Sequence, residues 1–241
     1  MNIAVIFAGG VGSRMHSKDR PKQFLEIHGK PIIIHTLEVF ERHPDIDAIV
    51  IACVENGIPH LEDLLKKYNL KKVRRIVPGG ASGQESIYNG LCAAEDVANG
   101  EKSIVLIHDG VRPLIYEKTV TDNLQCVRSH GSCITSVSVK ETVLLVEDNS
   151  NAVAGVPSRK NSRLARAPQS FWLEDILGLH RMARQDNLFD FVDSCTMMQH
   201  YGKSLHLIEG PQENIKITTP DDFYTMRALL DAKENAQIYG F

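Results

Sequence analysis

The sequence predicts an α/β fold: a mostly parallel sheet held between helices in three layers, with one short β-arm projecting from it. Two observations carry this. Apolar runs rich in β-branched residues recur at Ile3–Phe7, Ile46–Val54, Val73–Val77, Ser103–Ile107 and Cys133–Val139. Amphipathic stretches at Ile32–Arg42, Pro59–Tyr68, Gln84–Ala98 and Glu117–His130 separate them. That alternation is the signature of a parallel sheet covered on both faces, and ligands of such sheets sit at the carboxyl ends of the strands. The pattern breaks between Lys140 and Asn161, and that break is the arm.

The first strand opens into A-G-G-V-G-S-R-M-H-S-K-D-R-P-K-Q, residues 8–23. Gly9, Gly10 and Gly12 after Ala8 let the backbone approach a ligand closely. Amides in such a turn can converge on an anion, and Arg14, Lys18, Arg20 and Lys22 add positive charge just behind it. The segment suits a polyphosphate. It is not a dinucleotide fingerprint, because Met15 stands where a third small residue belongs and no acidic residue follows about 20 positions on. It is not a Walker loop either, since no G-K-[ST] follows.

After the third strand, Pro78-Gly79-Gly80-Ala81-Ser82-Gly83 forms a second glycine-rich loop leading to Ser86. Its backbone can hold a base or ribose, or it is a plain strand-to-helix turn. The fourth strand ends in H-D-G-V-R-P, residues 108–113. Asp109 there is placed as a Mg²⁺ ligand, since Mg²⁺ takes one or two carboxylates plus substrate phosphate oxygens; a turn aspartate is the alternative. Arg112 can grip a phosphate bidentately or lie at the surface. The helix that follows begins near Tyr116-Glu117 and stops at Gly131.

Glu141–Val146 alternates weakly, Asp148–Asn151 makes a turn, and Val153–Val156 returns, giving a hairpin arm over about residues 140–161. An exposed apolar hairpin needs a cover, so a partner subunit is expected. The stretch Ser158–Arg166 carries four cations, which reads as a solvated face. Helices are expected near Leu173–Arg184 and Val192–Tyr201, a strand at Ser204–Glu209, and a last helix from Pro220 or Asp221. In E-N-I-K-I-T-T-P-D-D, residues 213–222, alternation turns Lys216 away from Ile215 and Ile217 and toward the site.

The 241 residues carry a net charge of −3, which excludes general attraction to nucleic acid or an anionic membrane surface. No apolar run spans a bilayer and Met1-Asn2 leads straight into a strand. The five cysteines are scattered and never in C-x-x-C spacing, as expected of free thiols in a reducing cytoplasm. The ten histidines form no zinc motif. No linker or repeat divides the chain, so residues 1–241 are expected to form one domain plus the arm.

Taken together, A-G-G-x-G-x-R-M…P-K-Q-F-L, G-G…S-I…G-L, H-D-x-x-R-P, A-P-Q-S-F and E-N-I-K-I-T-T-P-D-D resemble the cytidylyltransferases that act on small polyol phosphates. The resemblance runs in order along nearly the whole chain. It implies a Rossmann-like nucleotidyltransferase fold, a homodimer joined by the arms, CTP as substrate, Mg²⁺, and release of pyrophosphate. Carried over by position, Arg14, Lys22 and Lys216 would serve the reacting phosphates. Ala8, Gly9, Gly10 and Gly12, with Gly80 and Ser86, would hold cytosine and ribose, and Asp109 the metal or ribose side. Arg112, Thr142 and Arg159 would contact the polyol phosphate, the latter two from the neighbouring subunit. Val192 and Ala167 stand where the family often has threonines. A-G-G at 8–10, G-G-A at 79–81, V-R-P at 111–113 and P-S-R at 157–159 look more like the enzymes for ribitol 5-phosphate than those for 2-C-methyl-D-erythritol 4-phosphate. Two rival readings are a sugar-1-phosphate nucleotidyltransferase, which shares the G-G-x-G-x-R…P-K start, and a non-catalytic nucleotide-binding module. The second needs the glycine loop but not Asp109, Arg112 and Lys216 together.

Overall fold

The computed structural model describes residues 1–9 and 21–239, with residues 236–239 as backbone alone. Gly10, Gly12, Arg14, Lys18 and Arg20 therefore lie outside the described residues.

The chain runs β1 (Asn2–Ala8), a short 3₁₀ turn at Lys22–Phe24, a two-strand hairpin β2 (Glu26–Ile27) and β3 (Lys30–Pro31), then α1 (Ile32–Arg42), β4 (Ala48–Cys53), α2 (Ile58–Lys67), β5 (Val73–Pro78), α3 (Gly83–Ala98), β6 (Ile104–Asp109), α4 (Glu117–His130) and β7 (Ser132–Ser138). The arm is β8 (Leu145–Val146) and β9 (Val153–Gly155), and the chain closes with β10 (Arg163–Trp172), α5 (Leu173–Gln185), α6 (Ser194–His200), β11 (Leu207–Glu209) and α7 (Pro220–Tyr239).

Seven strands form one sheet in the order β11-β7-β10-β6-β1-β4-β5, parallel except for β10, which runs antiparallel to both β6 and β7. Strand side chains alternate between faces, and β1 displays the result. Ala4 and Ile6 pack with Ile33, Leu37 and Phe40 of α1 and Leu124 of α4 on one side, whereas Ile3 and Val5 pack with Ile87 and Leu91 of α3 and Ile176 of α5 on the other. Each of these residues is buried, so the sheet is covered twice and the three-layer expectation holds. Helix ends follow local chemistry. Ser82 caps α3 by accepting from the Glu85 amide, Asp193 caps α6 through Thr196, and α4 stops where Gly131 turns left-handed at φ +83°.

One strand departs from expectation. In the cation run Ser158–Arg166 the solvated face expected holds for Arg159, Lys160 and Arg163, which are exposed, but the run leads into β10, where Arg166 is half-buried. The strand's outer half is exposed and charged while Ala167–Phe171 is buried, so the segment carries no single pattern along its length. The register on β7 shifts between Ala165 and Gln169, around the cis Ala167–Pro168 bond, which is where a sheet tolerates proline.

The arm has the hairpin form expected, with strands only two and three residues long. Leu144, Leu145, Val146, Val153 and Val156 stand exposed along it. No helix among the described residues is long and apolar enough to cross a membrane.

Candidate active site

The winding of the sheet fixes where the site is. β4 and β5 lie on one side of β1 and β6 on the other, so the chain reverses direction at the carboxyl ends of β1 and β6. Crevices at such reversals bind ligands. Phe7 of β1 is in register with Asp109 of β6, which brings Ala8–Gly9 and the H-D-G-V-R-P turn side by side.

A 490 Å³ cavity opens there, lined on one wall by Ala8, Gly9, Lys22 and Gln23, on another by Gly80–Gly83 and Ser86, and at its floor by Asp109, Val111 and Lys216. It gathers every described residue predicted to serve the nucleotide. Lys22 and Lys216, 194 positions apart, line the same cavity. Gln23 is fully buried and donates from Nε2 to the Ala8 carbonyl at 2.8 Å, so the P-K-Q-F turn is pinned to the end of β1.

The second glycine loop is held by its own side chains. Gly80 N–H donates to Ser86 Oγ at 3.0 Å, Ser86 Oγ donates to the Ser82 carbonyl at 2.9 Å, and Ala81 N–H donates to Glu85 Oε2 at 2.7 Å. Gly9 meets the second loop where glycine is required: a Cβ on Gly9 would lie 2.6 Å from Ser86 Oγ, and one on Gly79 3.1 Å from Gly9 Cα; within the second loop, one on Gly80 would lie 2.2 Å from Glu85 Cγ. Gly9→Ala is expected to displace Ser86 and weaken CTP binding about 5- to 10-fold by calorimetric titration, with an unchanged circular-dichroism spectrum. Undiminished affinity would show that the loop contact does not shape the nucleotide site.

At the floor, Asp109 sits between two cations, its Oδ1 2.6 Å from Lys216 Nζ and its Oδ2 accepting from Arg112 Nε at 2.7 Å. Burial by itself would raise this carboxyl, but Arg112 and Lys216 outweigh it and hold the group down at about 2. Arg112, expected as a phosphate ligand, is itself buried and also donates from Nη1 to the Asn214 carbonyl at 2.9 Å. Asn214 in turn donates to the Ala167 carbonyl, tying the E-N-I-K segment to β10. Ile217 is fully buried and its N–H donates to the Val111 carbonyl, which turns Lys216 to the cavity beside the Phe7 ring. Neighbouring His108 is buried, which pushes its imidazole down to about 4, and it meets the Arg112 carbonyl at 3.0 Å.

Asp109, Lys216, Phe7 and Gly83 are shared with a second cavity of 300 Å³, which reaches toward Arg166, Gln169 and Val192–Ser194. Val192 is the most exposed of the large apolar side chains there and Ala167 is buried. Thr142 and Arg159 are exposed on the arm and line neither cavity; Arg159 Nη1 donates to the Lys140 carbonyl at 3.2 Å.

Asp109 is the one carboxylate lining the first cavity among the described residues, and no group of three metal-binding side chains occurs among them. That donor set fits a Mg²⁺ whose ligands are chiefly phosphate oxygens and water, not a cage built by protein. Sequence reasoning assigned no role to Gln23, Asn214 or Glu85. The first two lie inside the quoted P-K-Q-F and E-N-I-K motifs, and Glu85 completes an S-x-x-E cap visible at Ser82.

The family model described as IspD, 2-C-methyl-D-erythritol 4-phosphate cytidylyltransferase, matches residues 2–232. The chain is 53% identical over 240 residues to a ribitol-5-phosphate cytidylyltransferase of Streptococcus agalactiae serotype Ia, covering all of both chains. It is 36% identical over 230 residues to a 2-C-methyl-D-erythritol 4-phosphate cytidylyltransferase of Clostridium botulinum, covering 95% of this chain and 97% of that one. The solved 4-diphosphocytidyl-2C-methyl-D-erythritol synthase of Anaerococcus prevotii superposes with a TM-score of 0.83 at 26% identity, covering 95% and 96% of the two chains. The doubly covered sheet, the cavity that Gly9, Gly80, Asp109 and Lys216 line together, and these likenesses along the full length place the chain in the IspD family of cytidylyltransferases.

Proposed function

We propose that the chain transfers CMP from CTP to D-ribitol 5-phosphate, releasing pyrophosphate and forming CDP-ribitol. The convergence of Lys22 and Lys216 on one cavity between the two glycine loops carries the reaction type. The acceptor rests on the 53% identity to a ribitol-5-phosphate enzyme, against 36% to the erythritol enzyme. The family model's own description keeps 2-C-methyl-D-erythritol 4-phosphate as the alternative acceptor.

In the reaction an oxygen of the acceptor phosphate attacks the α-phosphorus of CTP. The new P–O bond forms as the bond from the α-phosphorus to the oxygen bridging to the β-phosphate breaks, and pyrophosphate leaves with that electron pair. The backbone of Ala8–Gly9 and the Gly80–Ser86 loop hold cytosine and ribose, with Gly10 and Gly12 continuing the first loop. Lys22, Lys216 and Arg14 neutralise charge gathering on the phosphates. Asp109 orients Lys216 and would be the protein ligand of Mg²⁺, which supplies further charge neutralisation when bound on the triphosphate. The apolar arm supports a homodimer in which Thr142 and Arg159 reach the partner's acceptor phosphate, and the free cysteines support a cytoplasmic setting.

The test is pyrophosphate release with CTP and each polyol phosphate in parallel. Turnover with ribitol 5-phosphate at least about tenfold more efficient than with the erythritol substrate is expected; the reverse preference would move the chain to the alternative, and no release with either would end the proposal. The acceptor needs no general base, since a phosphomonoester loses its second proton near about pH 6. With Asp109 held at about 2 and His108 at about 4, neither group titrates above pH 5. The acceptor kcat/KM is therefore expected to fall below about pH 6, as the acceptor dianion is protonated, and to stay level from about 7 to 9. A fall centred well above 7 would point to an enzymic base.

A further inference from the structure

We propose that Arg166 is a further residue that grips the phosphate of the acceptor, beside Lys216 and the arm residues Thr142 and Arg159, an assignment that rests on the cytidylyl-transfer reading above. The cation run of the sequence does not end in solvent: the bulge of β10 folds its last member, Arg166, inward, so that it is half-buried and lines the second cavity. Its Nε is buried with no hydrogen-bond partner, and no carboxylate pairs with its guanidinium among the described residues. Burial lowers its basicity, and the Arg112 cation lowers it further. Arg112, by contrast, is paired with Asp109.

A part-buried guanidinium whose buried Nε has no partner, in a cavity that also takes Arg112, is an unfavourable arrangement unless an anion completes it. The cavity states which anion. It adjoins the nucleotide cavity along Asp109 and Lys216 but lies on the β10 side, away from the Gly80–Ser82 wall and Lys22. A small phosphomonoester there sits next to Lys216, where the α-phosphorus of CTP is approached. A second buried polar atom without a partner, Ser194 Oγ, lines the same cavity and can meet a hydroxyl of the polyol. Gln169 and Asp193 are already committed, Gln169 Nε2 donating to Asp193 Oδ2 at 2.9 Å and its Oε1 accepting from the Cys195 N–H, so the cavity wall is preformed.

Arg166→Gln and Arg166→Lys test the assignment, with steady-state pyrophosphate release and calorimetric titration of CTP. In Arg166→Gln the KM for ribitol 5-phosphate is expected to rise about 10- to 100-fold, the loss of a charge-assisted pair, while the CTP dissociation constant stays within twofold of wild type. Arg166→Lys keeps the charge but not the fork and is expected to recover part of the loss. An acceptor KM within twofold of wild type in both variants overturns the assignment, as does an equal weakening of CTP. If Arg166→Gln does not fold, as judged by circular dichroism, Arg166→Lys alone decides: an unchanged acceptor KM overturns the assignment. A wild-type protein that binds CTP but releases no pyrophosphate with any polyol phosphate would take down the reaction itself, and Arg166 with it.

Discussion

Lys216→Ala is expected to lower kcat by about a hundredfold or more with the fold intact, because it removes a cation fixed where charge develops on the reacting phosphates. The lysine is not a mobile surface charge. The Asp109 carboxylate 2.6 Å away and the buried Ile217 beside it in sequence hold it in place. It lines both cavities, where the proposed reaction brings the two substrates together. Lys22→Ala, in the lining of the same first cavity, is expected to cost kcat a similar factor. Arg14→Ala belongs with them by motif, although Arg14 lies outside the described residues. Single-turnover pyrophosphate release separates chemistry from binding in these variants. Wild-type turnover by a folded Lys216→Ala or Lys22→Ala protein would remove that residue from the mechanism.

Asp109→Ala is expected to be the most damaging substitution to stability. It leaves Arg112, itself buried, and Lys216 facing each other without the carboxylate that joins them. Breaking a buried pair from one side costs about 3–5 kcal/mol, and the partial exposure of Lys216 moderates that to about 2–4 kcal/mol. For a chain of this size the corresponding fall in Tm is roughly 5 to 15 °C by calorimetry. The pH dependence has a definite sign. A carboxyl held below its unfolded value stabilises the fold above that value and loses the contribution as pH falls, here from about 4 toward 2. The Asp109→Ala melting temperature is expected to converge on wild type over that range. A constant difference from pH 7 down to pH 2 would mean the pair is not the source of the stability.

Much of this was readable in the sequence because local chemistry and global packing agree. Strands β1, β4 and β6 are apolar, β-branched runs, β7 is a buried run mixing β-branched residues with serines, β5 keeps the pattern at Val73, Ile76 and Val77 around two exposed arginines, and α1 and α4 begin and end where periodicity and the Gly131 stop place them. The nucleotide cavity was legible for the same reason: in a sheet of this winding, the loops after β1, β5 and β6 have one place to meet. β10 was not legible. Half of it faces solvent with Arg163 and Leu164 exposed, half is buried with Ser170 and Phe171, and a proline interrupts it, so no single period runs through it. With β10 hidden, the inward turn of Arg166 was hidden too, and Ser158–Arg166 read as surface charge. Arg112 illustrates a different limit. The motif H-D-x-x-R-P placed it at the site, but only the fold reveals that its Nε and Nη1 hold Asp109 and Asn214.

The central claim is direct transfer between two substrates lying on either side of Lys216, with no protein group ever carrying the nucleotidyl unit. The stereochemical course at the α-phosphorus, followed with a single diastereomer of CTP bearing sulfur on that phosphorus, measures this. One in-line displacement inverts the configuration in the CDP-polyol product; retention would require a covalent nucleotidyl-enzyme intermediate and would contradict the arrangement of the two cavities.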